Sequence, residues 1–169
     1  MNKIIFLIYH EKIILVNYMN YGNTLKELRE ELNLLQNDVA KQIGIQGKVY
    51  SLYETEYTII PSKHLVTLAD FFDVSLDYLF GFTNTKQYLN VKSKINHALV
   101  GSRLKEFRKE NKLTQSKLAS ILNTTQSVIA DYERGRYLIA TPFLYTICSK
   151  YHISADYLLG KIDDPKYYS

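Results

Sequence analysis

The 169-residue sequence has one cysteine, three prolines, seven glycines and four histidines. A lone Cys148 excludes an internal disulfide. It sits among Leu144, Ile147 and Tyr151, a core-like setting that agrees with a reducing, cytoplasmic compartment. Scarce proline and glycine leave little room for disordered linkers. His10, His64, His97 and His152 are scattered without metal-ligand spacing, so neither a metal nor a cofactor is expected. No Ser/His/Asp constellation and no glycine-rich phosphate loop occurs, so catalysis is not expected. Long apolar runs are missing too. The most apolar stretches, residues 4–9 and 13–16, are split by His10-Glu11-Lys12. A bilayer span needs about 20 apolar residues, so no membrane partner is expected. The same runs are too short and too poorly followed by small residues to form a signal peptide.

What remains is a globular composition, with 46% hydrophobic and 22% charged residues. The length suits one or two small domains. A net charge of +4 and a pI near 9.0 mildly favour a polyanionic partner.

From Leu25 onward the chain repeats. A shift of 79 residues lays 25–81 on 104–160 without a gap, and 19 of the 57 positions are identical. Ungapped self-similarity over this length means two copies of one fold. The second copy carries helical patterns near 101–111, 115–122, 126–133, 142–151 and 155–159. The first should have helices near 24–32, 36–43, 47–54, 62–72 and 76–80. Thr141 before Pro142 reads as a cap followed by proline at the first helical position. Ser154 reads as the cap of the last helix, with Asp156 in its first turn and Gly160 closing it. Neither copy shows a strand pattern, so the expected fold class is all-α.

The most informative stretch is 114–136, TQSKLASILNTTQSVIADYERGR. Thr114 caps a short helix with an apolar stripe of Leu118, Ala119 and Leu122. Asn123-Thr124 breaks it, and Thr125 caps a second helix that buries Ile129 and Tyr132. Gln126, Ser127, Ala130 and Asp131 fall on the opposite, small and polar side. Such a helix suits insertion into a DNA major groove. An ordinary helical hairpin with a solvated face has the same local pattern.

The motifs LTQ, TTQS, YERG and DYLLG in the second copy resemble the Xre/Cro-type helix-turn-helix domains of the lambda-repressor-like fold. The first copy keeps worn versions: LLQ, LYETE and DYLFG. The resemblance implies two tandem five-helix domains, at 22–85 and 99–165, joined by a linker at 86–98 and preceded by an extension at 1–21. It further implies sequence-specific binding of double-stranded DNA by a transcriptional regulator, most simply a repressor that blocks polymerase. Carried over by residue, Gln115 bonds a phosphate and steadies the recognition helix. Gln126 and Ser127 face base edges, and a Gln amide can serve adenine N6 and N7 together. Val128 and Ala130 approach thymine methyl groups, and Thr125 caps the helix within reach of phosphate. Arg134 and Arg136 run along the backbone. Asp131 departs from the family, where a polar or basic residue is common. It either narrows base choice through cytosine N4 or points to solvent. Arg108 and Glu133 match an ion pair that fixes the recognition helix, with Arg29 and Glu54 as its counterpart. Tyr132, Tyr137, Tyr145, Tyr151 and Tyr157 are expected in packing rather than base stacking.

The copies differ in charge. Residues 22–85 hold five basic and nine acidic side chains, and residues 99–165 hold ten and seven. Phosphate neutralisation dominates DNA affinity, so the second copy is the expected binder. The first has Leu35 and Gln46 where the second has the caps Thr114 and Thr125, and Thr55-Glu56-Tyr57 in place of Arg134-Gly135-Arg136. Glu56 would face phosphate, and Gly47 weakens its helix by up to about 1 kcal/mol. Gln36, Gln46, Lys48 and Ser51 form a weaker second DNA-contacting set. Leu52 on the groove face points instead to protein contact or a buried interface.

Two arrangements are open. The 82–100 connection, which could hold a short helix at 86–96, is long enough when extended for the tandem to act as a single-chain pseudo-dimer. The preferred arrangement is a homodimer through the first domain, with two chains reading a palindrome. A protein-interaction module, such as an antitoxin or anti-repressor partner, is the alternative function. Residues 1–21 form either a small hairpin or, as favoured by helical patterning that begins at Thr24, an over-extended start ahead of Met19.

Overall fold

The computed structural model describes residues 5–9, 12–16, 19–89, 91 and 94–165. The two apolar N-terminal runs form antiparallel strands, β1 (Ile5–Tyr9) and β2 (Lys12–Val16), with Ile5 opposite Val16 and Tyr9 opposite Lys12. Everything after them that is regular is helical. The first unit comprises α1 (Tyr21–Glu31), α2 (Gln36–Gln42), α3 (Gly47–Glu54), α4 (Ser62–Phe71) and α5 (Leu76–Leu79). The second comprises α6 (His97–Glu110), α7 (Gln115–Ile121), α8 (Gln126–Glu133), α9 (Thr141–Tyr151) and α10 (Ala155–Leu158). Described residues between 86 and 96 contain no helix, contrary to expectation. α6 instead starts early, because the Asn96 side chain accepts from the Ala98 and Leu99 amides at 3.0 and 3.2 Å.

The repeat extends to backbone detail. Left-handed residues recur 79 apart: Asn33 and Lys112, Gly44 and Asn123, Glu56 and Gly135, Asp73 and His152, Gly81 and Gly160. The segment after each unit returns to it in the same way, with the Ser75 amide donating to the Lys86 carbonyl and the Ser154 amide to that of Pro165. Residues 82–88 of the connection are therefore folded against the first unit, and Tyr88 adds a 2.8 Å hydrogen bond to Asp77. In the second unit the buried Arg103 guanidinium holds the terminal segment through the carbonyls of Tyr157 and Ile162, both at 2.5 Å.

Each unit packs its first and third helices around fully buried side chains, Leu25 and Tyr50 in one, Leu104 and Ile129 in the other. Burying a side chain of this size contributes about 1.5–3 kcal/mol. Cys148 is fully buried, and burial pushes its thiol well above the ordinary value.

The two units also pack on each other through α4–α5 and α9–α10. Ser62 donates to the Ile139 carbonyl and Thr141 to the Ile60 carbonyl, both at 2.5 Å. Thr141 thus serves this seam and not the cap of α9, which begins at Thr141 with no side-chain cap. Tyr145 packs edge-on against Phe80, with ring centroids 5.4 Å apart, and lies 5.2 Å from Phe82. Lys161, almost fully buried, pairs across the seam with Asp70.

Candidate nucleic-acid interface

The α7–turn–α8 geometry follows from its caps. Thr114 accepts from the Lys117 amide at 3.1 Å, and Thr125 from the Val128 amide at 3.4 Å. Asn123 turns the chain between the two helices in the left-handed conformation, at φ 51°. Ile129 and Tyr132 then face inward and are buried, while Gln126 and Ser127 are exposed at the start of α8. Val128, Ala130 and Asp131 are half-buried. Thr125 is exposed, although its hydroxyl oxygen is engaged in the cap.

A buried network fixes the angle of α8. Arg108 on α6 grips Glu133 at the end of α8 in a two-point contact at 2.5 and 3.0 Å, and its third nitrogen donates to the Leu113 carbonyl at 2.9 Å. Gln115 donates to the same carboxylate at 2.9 Å. Burial alone would raise Glu133, but the hydrogen bonds from Arg108 and Gln115 outweigh it and hold the carboxyl below its usual range. This bond uses one of the two N–H groups of the Gln115 amide and leaves the second for the phosphate contact that the resemblance implies. The first unit repeats the network: Arg29 meets Glu54 at 2.6 and 3.1 Å, and Gln36 donates to Glu54 at 2.8 Å.

Two features were not anticipated. Ser116, at the start of α7, donates to the Gln126 amide oxygen at 2.9 Å. That oxygen has a second lone pair, so the amide stays able to serve a base. Asp131 neither points to solvent nor stands free, because it accepts from Arg136 at 2.9 Å and Arg134 at 3.3 Å. Both arginine side chains are 61% exposed, so the pairs are weak and leave the guanidiniums available. A nearby carboxylate repels phosphate, and here two cations offset it. Tyr137 is 64% exposed beside them rather than packed, while Tyr132 is buried and Tyr145, Tyr151 and Tyr157 are half-buried.

The corresponding surface of the first unit differs. Gln46 and Lys48 are exposed at the start of α3, with Ser51 and Leu52 half-buried. Neither α2 nor α3 has a side-chain cap, although the Asp38 carboxylate accepts from the Leu35 amide at 2.8 Å. Glu56 does not reach outward as expected. It occupies the left-handed position that Gly135 fills in the second unit, and its carboxylate accepts from the Gly22 amide at 2.9 Å.

Comparison with known proteins agrees with this geometry. A family described as "Helix-turn-helix" matches residues 25–79, and one described as "Helix-turn-helix domain" matches 101–163. The chain carries two tandem helix-turn-helix domains of the Xre-like type. Among curated relatives, the uncharacterized HTH-type transcriptional regulator YobD of Bacillus subtilis is 39% identical over 64 residues, 38% of this chain and 57% of that protein. The immunity repressor protein of Bacillus phage phi105 is 39% identical over 62 residues, 37% of this chain and 43% of the repressor. The HTH-type transcriptional regulator ImmR of Bacillus subtilis is 39% identical over 63 residues, 37% of this chain and 50% of that protein. The chain thus spans about half the length of these relatives. Among the described residues of both helix-turn-helix domains, no group of His, Cys, Asp and Glu could hold a metal ion, and no helix is long and apolar enough to cross a membrane.

Proposed function

We propose that the second helix-turn-helix domain reads double-stranded DNA through the start of α8, and that the chain regulates transcription in the cytoplasm, most simply as a repressor that blocks polymerase. The observation that carries this reading is the exposed Gln126–Ser127 pair at a capped helix start, with Arg134 and Arg136 exposed beside it. Gln126 and Ser127 address base edges in the major groove, and Val128 and Ala130 approach thymine methyl groups. Arg134 and Arg136 exchange Asp131 for phosphates. Gln115 acts as a positioning residue through Glu133. The names of the relatives, regulators and an immunity repressor, point the same way.

The test is fluorescence anisotropy on DNA selected from a random pool. Affinity should fall steeply between ~50 and ~200 mM salt, and unrelated duplexes should bind far more weakly. Binding that ignores both salt and sequence would refute the proposal. A protein-binding role is the second reading, favoured by Leu35 and Tyr57 of the first domain, which are 70% and 74% exposed.

A further inference from the structure

The contacts between the two domains are reciprocal. Ser62 donates to the carbonyl of Ile139, and Thr141 donates to that of Ile60. Thr141 lies 79 residues beyond Ser62, and Ile139 lies 79 beyond Ile60. The two hydroxyl oxygens stand 3.2 Å apart, where such a relation would bring a position against its own copy. The helix starts behave alike. The Asp77 amide donates to the Asp156 carboxylate at 2.9 Å, and the Ala155 amide donates to the Asp77 carboxylate at 2.7 Å, so each carboxylate takes an amide from the other unit's helix start. Contacts in which i meets j′ and j meets i′ are the mark of a twofold interface, here between two halves of one chain.

This seam uses α4–α5 and α9–α10. It leaves the starts of α3 and α8 uncovered, with Gln46, Lys48, Gln126 and Ser127 exposed. A twofold pair of recognition helices matches the twofold relation between the halves of a duplex site. We infer that a single chain is itself the dimeric reading unit, and that it occupies one asymmetric DNA site of two unequal half-sites. The second domain holds the strong half. The first domain lies over the weaker half, contacting it through Gln46 and Lys48. No second chain is required, since the face that would pair copies is taken up by the chain's own other half.

The inference rests on the proposed DNA reading by α8, and the experiment separates the two. Duplexes selected by the full chain are examined by sedimentation for stoichiometry and by hydroxyl-radical footprinting. One chain per duplex is expected, with unequal protection of two half-sites about one helical turn, ~34 Å, apart. Inserting about five base pairs between them turns one half to the far side of the duplex. That change should abolish protection of the weak half and leave the strong half protected. Lys48→Ala should lower weak-half protection several-fold without changing the strong half. Protection confined to one half-site, indifferent to the insertion, overturns the inference and leaves the α8 reading intact. Two chains per duplex on a palindrome overturns it as well, again without touching α8. Loss of all sequence preference removes both.

Discussion

The two domains share a skeleton and differ at the surface. Arg29, Gln36 and Glu54 reproduce the geometry of Arg108, Gln115 and Glu133 to within a few tenths of an ångström. Left-handed turns fall at matching positions. What changed lies outside that frame. Two threonine caps became Leu35 and Gln46, two exposed arginines became Thr55 and Tyr57, and a glycine became Glu56. The two copies share what orients α3 and α8 and differ in the residues proposed to meet phosphate. A helix can therefore be held in a reading position by one set of residues and equipped for reading by another.

The comparison can be broken most forcefully at the shared network. Arg29→Ala and Arg108→Ala should each leave a buried carboxylate without its counter-charge, held only by Gln36 or Gln115, and destabilise their domains by about 3 kcal/mol in urea unfolding. If only one of the two is costly, the networks are not equivalent. The next largest effect concerns the carboxyl pair at the seam. Burial, and then the neighbouring Asp77, push Asp156 up to about 7 from an ordinary value of 3.8. Asp156 Oδ1 is buried without a hydrogen-bond partner among the described residues, which favours a proton there. A group that holds its proton more tightly when folded stabilises the fold at low pH. Stability should therefore decline as pH rises from about 4 towards about 7, at up to about 1.4 kcal/mol per pH unit, and then level off. Asp156→Asn should flatten that decline in thermal melts across this range.

The surfaces are separated by smaller effects. Gln126→Ala should cost about 1–3 kcal/mol on the selected site and relax preference at one base. Arg136→Ala should weaken all sequences alike and lower the salt slope by about 1. Lys48→Ala should alter total affinity by no more than a few tenths of a kcal/mol, as expected of an exposed contact on a weaker half. A silent Gln126→Ala beside a crippling Lys48→Ala would reverse the roles assigned to the two domains.

Much of the fold was legible in the sequence, because apolar periodicity and capping residues act locally. Helices α2, α3, α7 and α8 fall within a residue of the expected ranges. The ends legible least well were those with non-local support. α6 reaches back to His97 because Asn96 caps it and Gly135 lets its first turn approach closely. Gln126 and Ser127 were legible as exposed groups because a period of 3.6 assigns the face, whereas Arg134 and Arg136, beyond the end of α8, were legible only through the resemblance. Their partners were not. Nothing in local spacing shows that Ser116 would meet Gln126 or that Asp131 would gather two arginines. The seam was hidden for a different reason. Ser154 and Asp156 read as helix-start residues, Ser75 and Asp77 stand at the matching positions of the first unit, and the two serines do cap helices, each accepting from an amide three residues on. That the same motif also joins the two domains depends on which faces meet, and a repeat carries that information only once both copies are folded.

Joining the halves through Ser62 and Thr141 has a dosage consequence. Partners on one polypeptide meet at a local concentration that expression level does not change. Occupancy of a target by such a molecule rises in simple proportion to chain number at low abundance. A regulator assembled from separate subunits would lose its grip disproportionately as the cell dilutes it; this one would let go gradually.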